Sequence, residues 1–224
     1  MASFKLNIAR IRGCPDPRRL GQALEAFGLP DDQEYGVLHF AVSGSLASAT
    51  VIRKTQTAVQ RLDSETREVT AAPVERVTLY PLAVRPQQEL LEIYAGSASA
   101  IEQVGVFFSG CLGLSTVVDP IELDLLAALD KLAGATERFQ LRTVRVSDYS
   151  HNAYMTGPYA PRFLDTEHGK EFLEEYGPAA TSASVRFRGP TGPATVSLCG
   201  LACFTFSCRD DDQPAIQAIL RKLI

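Results

Sequence analysis

The sequence predicts an α+β fold with two pseudo-repeats, in which each copy runs strand, helix, antiparallel meander and helix. The segment Phe4–Ile11 is echoed by Phe139–Val146, where Phe, Leu and Arg recur at the same spacing before a β-branched residue. The predicted elements also follow the same order in both halves, which indicates an internal repeat. We therefore expect one α+β repeat over residues 1–113, a connecting helix over 114–135 and a second repeat over 136–224. Together they should form a curved antiparallel sheet that helices cover on one face.

Local patterns place the elements of the first half. Asp16 followed by Pro17 combines an N-cap with a proline at the first helical position, so a helix is expected to start here and to end at Gly28. Ser99 and Glu102 have the spacing of a capping box and predict a second helix. Alternating or Val- and Thr-rich segments between turn residues predict strands, the third and fourth of which form a long hairpin. These strands cover residues 4–12, 35–42, 48–62, 67–82 and 89–95.

The elements of the second half follow from the same rules. Asp119 and Pro120 indicate the start of the connecting helix, and Gly134 indicates its end. An acidic helix is expected over 165–176, and a final helix is expected to begin at Asp212. The predicted strands cover residues 138–147, 183–187, 194–199 and 203–208.

The composition is typical of a globular protein and gives no indication of a membrane span, a metal site or a cofactor. Hydrophobic residues make up 46% of the 224 positions and charged residues 21%, as in an ordinary globular domain. The longest apolar runs are too short to span a bilayer and the N-terminus lacks a secretory signal pattern, so we expect a cytoplasmic protein that does not bind membranes. The five cysteines include no CxxC pair, which favours reduced thiols over a metal site. No nucleotide or cofactor fingerprint occurs, and no cofactor is predicted.

Charge is spread unevenly along the chain. The net charge is −4, but residues 1–86 hold 11 basic and 9 acidic residues, whereas residues 87–224 hold 11 basic and 17 acidic ones. A globally basic nucleic-acid-binding protein is therefore not indicated. A locally basic face is expected in the first part of the chain, and an ordinary solvated surface is the alternative.

The order of the elements resembles that of a known family. The segments that carry the resemblance are Ala183–Phe187, Thr195–Leu198, Phe204–Phe206 and the Asp212 helix in the second half, and Asn7–Arg12 and the Asp16–Pro17 helix in the first. This order is similar to that of the TATA-binding-protein-like family, in which each repeat curls a sheet under two helices. The similarity covers most of the chain as topology. It implies a module that binds nucleic acid or a protein partner.

The sequence departs from that family on the face that would bind DNA. In the family this face carries apolar side chains and phenylalanines that wedge between base steps. Here, alternation places the apolar residues of two strands on one face: Val196, Leu198, Phe204 and Phe206. The opposite face carries Thr195, Ser197, Thr205 and Ser207. If helices cover the apolar face, the open face is hydroxylated and has no wedge.

Basic and aromatic residues in the first-half strands are the candidates for contact with nucleic acid. Basic side chains could bind phosphates, and tyrosine rings could stack on bases. The same residues would also suit any solvated sheet face. They are Arg53, Lys54, Arg61, Arg76, Tyr80 and Tyr94.

The segment 149–159 is the candidate for contact with a protein partner. It is predicted to be an irregular loop, and it concentrates tyrosines with polar residues, a composition common at interfaces. The alternative is a loop that folds back on its own domain with the tyrosines as anchors. The candidate residues are Tyr149, His151, Asn152, Tyr154 and Tyr159.

Two of the three histidines are candidates for an enzymatic site. His151 and His168 could converge with Asp165 and Glu167 as a metal or acid–base site, although their spacing does not require it. His39 lies in an apolar strand and is interpreted as a core or edge residue rather than a catalyst. Phosphate-binding loops and nucleophile elbows do not occur.

The sequence therefore favours a non-enzymatic binding module that acts as an accessory subunit on nucleic acid, beside larger partners. A protein–protein interaction module or a self-assembling scaffold subunit is the first alternative. An enzyme with a site near His151 and His168 is the second.

Overall fold

The structure is a computed structural model that describes most of the chain. The described residues are 1–30, 32–62, 64, 67, 69–96, 98–152 and 155–224, with the backbone alone at 61, 70, 151 and 152. Strands account for 48% of the chain and helices for 31%, which confirms the α+β class. None of the helices in these residues has the length and apolar character needed to cross a membrane.

Eleven strands and five α-helices occur in the described residues. The helices are α1 (Pro17–Phe27), α2 (Ser99–Leu112), α3 (Leu125–Ala135), α4 (Thr166–Tyr176) and α5 (Gln213–Arg221). The first six strands are β1 (Ala2–Arg12), β2 (Tyr35–Ser43), β3 (Leu46–Leu62), β4 (Val69–Arg85), β5 (Leu90–Ile93) and β6 (Val117–Pro120). The others are β7 (Glu137–Asn152), β8 (Met155–Tyr159), β9 (Ala180–Arg188), β10 (Pro193–Cys199) and β11 (Cys203–Cys208).

The chain divides into two compact units, each made of more than one segment. The larger unit contains residues 1–10, 92–101 and 119–224. The smaller unit contains residues 11–91 and 102–118. Strand β1 begins in the larger unit, and its last two residues belong to the smaller one.

The larger unit is an antiparallel sheet with helices on its apolar face. Its strands lie in the order β1-β11-β10-β9-β7-β8, and neighbouring strands run antiparallel. Helix α3 contacts β7 and β9, and α4 packs on β7. The four predicted apolar residues from Val196 to Phe206 are buried, and Thr195, Ser197, Thr205 and Ser207 are half-buried or exposed. The prediction of an apolar inner face and a hydroxylated outer face is therefore confirmed in these strands.

The smaller unit is built on the strands β2, β3, β4 and the first two residues of β5, in that order, and Glu92 and Ile93 of β5 belong to the larger unit. Helix α1 packs on β2 and β3, and Asp16 caps it by accepting hydrogen bonds from the backbone N–H groups of Arg18 and Arg19. The rings of Phe27 and Phe107 lie 5.3 Å apart in its core. The β3–β4 hairpin pairs without a register shift from Ala47 to Leu62, which confirms the predicted long hairpin.

The predicted start of the connecting helix is wrong. Asp119 and Pro120 belong to β6, and α3 begins only at Leu125. Asp124 caps it, because its carboxylate accepts a 3.1 Å hydrogen bond from the N–H of Ala127. Asp119 and Asp124 are both suitable N-cap residues. The helix begins after Asp124 because the apolar residues that it buries start at Leu125. In α2, Ser99 is the first helical residue rather than a preceding N-cap.

The prediction of an irregular loop over 149–159 is also wrong. Residues up to Asn152 continue β7, and Met155–Tyr159 forms β8, which pairs with it. The register shifts twice within this hairpin. Such irregular pairing weakens the period-two pattern from which a strand is predicted.

The element order agrees with the predicted repeat, but the strand neighbours differ. Both halves run strand, helix, meander and helix, with β6 and β8 in addition. In the second half, β7 pairs with β9, the first strand of its meander. In the first half, Ile11 at the end of β1 is hydrogen-bonded to Glu89, which precedes the last strand of its meander. The duplication stays a prediction.

Candidate functional site

The open face of the larger unit carries arginines on β9. Alternation along this strand buries Val185 and Phe187 and exposes Arg186 and Arg188. Arg186 is the register partner of Thr195 on β10. The two arginines therefore lie on the same face as the hydroxyl-bearing residues.

Two irregularities in β7 add arginines beside those of β9. Between the pairs Glu137–Arg188 and Gln140–Arg186, β7 contains one residue more than β9, and Arg138 adopts a positive φ of 54° there. A second extra residue, Arg142, follows in the same strand. Bulges redirect side chains and often occur beside functional sites. A positive φ is uncommon for a residue with a Cβ, and such strain is found preferentially at functional sites.

A tight turn between β9 and β10 completes the arrangement. The buried carboxylate of Asp212 accepts a 2.9 Å hydrogen bond from the N–H of Thr191 and so fastens this turn. Its other oxygen has no hydrogen-bond partner in the described part of the chain. A Cβ on Gly192 would lie 3.1 Å from Nε of Arg209, so glycine lets the guanidinium pack against the turn.

These arginines line two adjoining clefts. The first, of about 510 Å³, contains Arg138, Arg186, Arg188 and Arg209. The second, of about 460 Å³, contains Arg142, Arg162 and Arg186. Because Arg186 and Pro193 belong to both, the clefts form one continuous feature. We call it the arginine surface, and its residues are Arg138, Arg142, Arg162, Arg186, Arg188 and Arg209.

The arginine surface is largely exposed to solvent. Five of its residues are exposed, and Arg142 is half-buried with a 3.2 Å hydrogen bond to Gln140. Across the residues that the structure describes, Arg138, Arg186, Arg188 and Arg209 form no ion pair with a carboxylate. The chain has a net charge of −4, so this is a local concentration of charge.

Hydroxyl groups extend the same face next to the arginines. Ser207 pairs with Thr195, which pairs in turn with Arg186. In a second row, Lys5 pairs with Thr205 and Thr205 with Ser197. The arrangement offers guanidinium and hydroxyl donors side by side, which is the donor set that binds phosphate groups.

The predicted nucleic-acid-binding residues of the smaller unit are largely engaged in contacts within it. Arg53 forms an ion pair with Glu34 and lies 5.8 Å from the ring centroid of Tyr35. The ammonium of Lys54 donates a 2.9 Å hydrogen bond to the carbonyl of Pro30. Tyr80 is only 6% exposed, so its ring has no open face for a base.

Arg76 and Arg61 lie farther along the β3–β4 hairpin. Arg76 is exposed on β4, opposite Thr55. The backbone of Arg61 pairs with Thr70, and its side chain lies outside the described residues. Their role in binding stays a prediction.

Tyr94 belongs to the larger unit, where it joins a buried ion pair. Its hydroxyl donates to the carboxylate of Glu92, which also accepts two hydrogen bonds from Arg221. Burial is the main cause that raises the pKa of Tyr94 to about 12, and the hydrogen bond to Glu92 adds to it. These contacts give Tyr94 a structural role.

Two of the predicted partner-binding tyrosines pack against their own unit. The ring of Tyr149 lies 4.4 Å from that of Tyr159 and 5.2 Å from that of Tyr176. The rings of Tyr149 and Tyr159 also contact Phe172 of α4. The side chains of His151 and Asn152 and the whole of Tyr154 lie outside the described residues, so partner binding by this segment stays a prediction.

The histidine site is not assembled within the described residues. His168 is 76% exposed and pairs with Asp165, the N-cap of α4, at 2.7 Å. Among the described residues, no three His, Cys, Asp or Glu side chains are grouped as metal ligands would be. His39 lies exposed on β2, which is an edge strand, in agreement with the edge position among its predicted ones. An enzymatic role for His151 and His168 stays a prediction.

The arginine surface could not be found from the charge balance of the sequence. Residues 87–224 are net acidic, and many of their carboxylates lie on α4 and in the run from Asp210 to Asp212. Alternation around Arg186 and Arg188 was the one local indication. No family model and no curated protein sequence matches the chain.

Proposed function

We propose that the chain is a non-enzymatic nucleic-acid-binding module that holds the phosphate backbone on the arginine surface and acts beside larger partners. The observation that carries this proposal is the set of four arginines without ion pairs in one cleft, joined through Arg186 to a second arginine-lined cleft. Guanidinium groups bind phosphates through two parallel hydrogen bonds. A line of such groups releases counterions from a polyanion, and this supplies most of the affinity.

The neighbouring hydroxyl groups suit the same ligand. Thr195, Ser197, Thr205 and Ser207 are small donors that contact phosphates and sugars. These contacts do not depend on base identity. The proposed binding is therefore largely independent of sequence and strongly dependent on salt.

The element order also supports the proposal. The resemblance to the TATA-binding-protein-like family would place nucleic acid on the sheet face that the helices leave open, and in the larger unit the arginines lie on that face. The mode of binding would differ from the family's, because hydroxyl-bearing residues replace the wedge phenylalanines.

Fluorescence anisotropy with labelled single-stranded DNA, duplex DNA and RNA tests the proposal. Affinity should fall as salt rises, with a slope in the logarithmic plot of about 0.9 per phosphate contact for duplex DNA and about 0.7 for single strands. The double variant Arg186→Ala/Arg188→Ala should weaken binding to every sequence and reduce this slope by about 2.

A matched control is the variant Arg18→Ala, which removes an exposed arginine from α1 in the smaller unit. It should leave the affinity and the slope unchanged. Equal affinity of the double variant and the wild-type protein, or no binding of any oligonucleotide at low salt, would overturn the proposal.

Self-association is the second candidate function, and the outer part of the β3–β4 hairpin favours it. Apart from the undescribed side chains, residues 56–62 and 69–77 are nearly all exposed on both faces of the hairpin. They include Val59 at 43%, Val69 at 62% and Val77 at 52% exposure. Exposed β-branched residues on an extended hairpin are suited to pairing with a second copy.

Sedimentation velocity across a range of protein concentrations tests this second function. Self-association predicts that the mean mass rises with concentration and that Val69→Lys/Val77→Lys abolishes the rise. A constant monomer mass in the wild-type protein would exclude it. The arginine double variant serves as the control, because the two candidate functions use different residues.

A further inference from the structure

Two of the five cysteines are placed opposite each other in one hairpin. Cys199 ends β10, Cys203 begins β11, and the two residues are register partners. Partners in an antiparallel pair have Cα atoms about 4.5–5.5 Å apart and side chains on the same face. A disulfide needs a Cα separation of about 4.4–6.8 Å, so the backbone already has the spacing of a bonded pair.

The turn between these cysteines is anchored on three sides. The N–H of Gly200 donates to the carbonyl of Thr181, and the carbonyl of Gly200 accepts from the N–H of Leu123. The carbonyl of Ala202 accepts a 3.1 Å hydrogen bond from the N–H of Ile8. These bonds fix the backbone of the turn, and the Cys203 thiol donates a 3.4 Å hydrogen bond to the carbonyl of Leu201. Bond formation between the sulfurs therefore requires side-chain rotation and no change in the pairing of the strands.

The pair differs from Cys208 in access, and Cys199 differs from the other cysteines in acidity. Cys199 and Cys203 are half-buried, whereas Cys208 is buried. The neighbouring Cys203 thiol holds the pKa of Cys199 below its ordinary value, and the neighbouring Cys199 together with burial raises that of Cys203. Burial raises the pKa of Cys14 and of Cys111 to about 11. Cys199 is thus the thiol with the largest thiolate fraction.

We propose that Cys199 and Cys203 form a peroxide-sensitive dithiol that closes to a reversible cross-strand disulfide. The proposal rests on the hairpin geometry and is independent of nucleic-acid binding. It assigns a modification site to the edge of the hydroxylated face.

The chemistry proceeds in two balanced steps with a hydroperoxide as the oxidant. The Cys199 thiolate attacks one peroxide oxygen, the O–O bond breaks, and the departing hydroxide or alkoxide takes up a proton. Cys199 is then a sulfenic acid. The Cys203 sulfur attacks the Cys199 sulfur, the S–O bond breaks, and water leaves with the proton of Cys203. Two thiols and one hydrogen peroxide give one disulfide and two molecules of water, and an alkyl hydroperoxide gives one molecule of alcohol and one of water instead.

Treatment of the full chain with hydrogen peroxide, followed by alkylation and mass spectrometry, tests the proposal. The wild-type protein should lose two alkylatable thiols and the mass of two hydrogen atoms while staying uncrosslinked to other copies, and dithiothreitol should reverse the change. Cys199 should be oxidised about tenfold or more faster than Cys14 and Cys111, because reactivity follows the thiolate fraction.

Single-cysteine variants distinguish the thiol that attacks peroxide from the thiol that attacks the sulfenic acid. Cys203→Ser should stop at a sulfenic acid on Cys199 that dimedone traps, whereas Cys199→Ser should give no such adduct on Cys203. Cys208→Ser should still form the disulfide, which identifies the pair. Equal oxidation of all five thiols, a disulfide to Cys208, or a disulfide only between copies would overturn the proposal.

Discussion

The guanidinium of Arg221 forms two hydrogen bonds of 2.8 Å with the carboxylate of Glu92, one from Nε and one from Nη2. Glu92 lies on the short strand β5 and is fully buried, and Arg221 ends helix α5 with 29% of its side chain exposed. The residues are 129 positions apart in the chain. This pair therefore ties the C-terminal helix to the end of β5 that belongs to the larger unit.

Removal of one member of this pair should destabilise the protein strongly. The variant Arg221→Met keeps the aliphatic stem but leaves the Glu92 carboxylate buried without its cation. We expect a loss of about 3 kcal/mol in the free energy of unfolding, measured by urea denaturation, since partial exposure of Arg221 limits the effect. The double variant Glu92→Leu/Arg221→Met should regain most of it. The control Lys222→Met should change stability by less than about 0.5 kcal/mol, and an equally small effect of Arg221→Met would contradict the prediction.

Two helical glycines should respond in opposite directions to alanine. A methyl group added at Gly134 of α3 would extend into open space, so Gly134→Ala should stabilise the protein by about 0.5 kcal/mol. At Gly169 of α4, a Cβ would lie 2.8 Å from Cδ2 of Leu141 and 3.2 Å from Phe163. Gly169→Ala should therefore cost about 1–2 kcal/mol through overpacking. Thermal unfolding of the two variants checks this, and the same sign of change in both would refute it.

The protonation of His168 should depend on Asp165. The hydrogen bond to Asp165 raises the pKa of His168, and hydrogen bonds from the His168 backbone and ring lower that of Asp165. The stabilisation linked to His168 is present below its unfolded pKa and is lost as pH rises through the higher folded value. The stabilisation linked to Asp165 is present above its unfolded pKa and is lost as pH falls through the lower folded value. Both are present between about pH 4 and 6.5.

NMR titration of the His168 ring checks this dependence. Asp165→Asn retains a good N-cap residue but removes the charge, so the pKa of His168 should fall toward its ordinary value. Glu171→Gln should lower it less, because Glu171 contributes only a more distant charge. An unchanged titration in Asp165→Asn would show that the pair does not form.

Replacement of Arg138 at the bulge should stabilise the protein but weaken its binding to oligonucleotides. Its φ of 54° is strained for a residue with a Cβ, and glycine relieves that strain. Arg138→Gly should raise the free energy of unfolding by about 1 kcal/mol and weaken oligonucleotide binding. Arg186→Ala, at an ordinary strand position, should weaken binding without the gain in stability. If Arg138→Gly loses stability instead, the backbone at this position is not strained.

Local patterns predicted most of the elements because their causes are local. The Asp16–Pro17 cap located α1, and alternation assigned Val196 and Phe204 to the buried face. The patterns failed where one local sequence pattern is compatible with two different structures. Asp119 and Asp124 are both suitable caps, and only the packing of Leu125 decides between them. The burial of Glu92 on β5 had no local indication, because its partner Arg221 lies near in space and far in sequence.

Sequence patterns were sufficient to establish the α+β class, the approximate position of most elements and the division of the β10 and β11 side chains between an inner and an outer face. Those features follow from backbone periodicity, which involves only neighbouring residues. Folding in three dimensions was needed to show that Arg138, Arg142, Arg186 and Arg209 meet on one surface, and that Cys199 faces Cys203. Both depend on strand register and bulges, and these are set by pairing between segments that the chain brings together only when it folds.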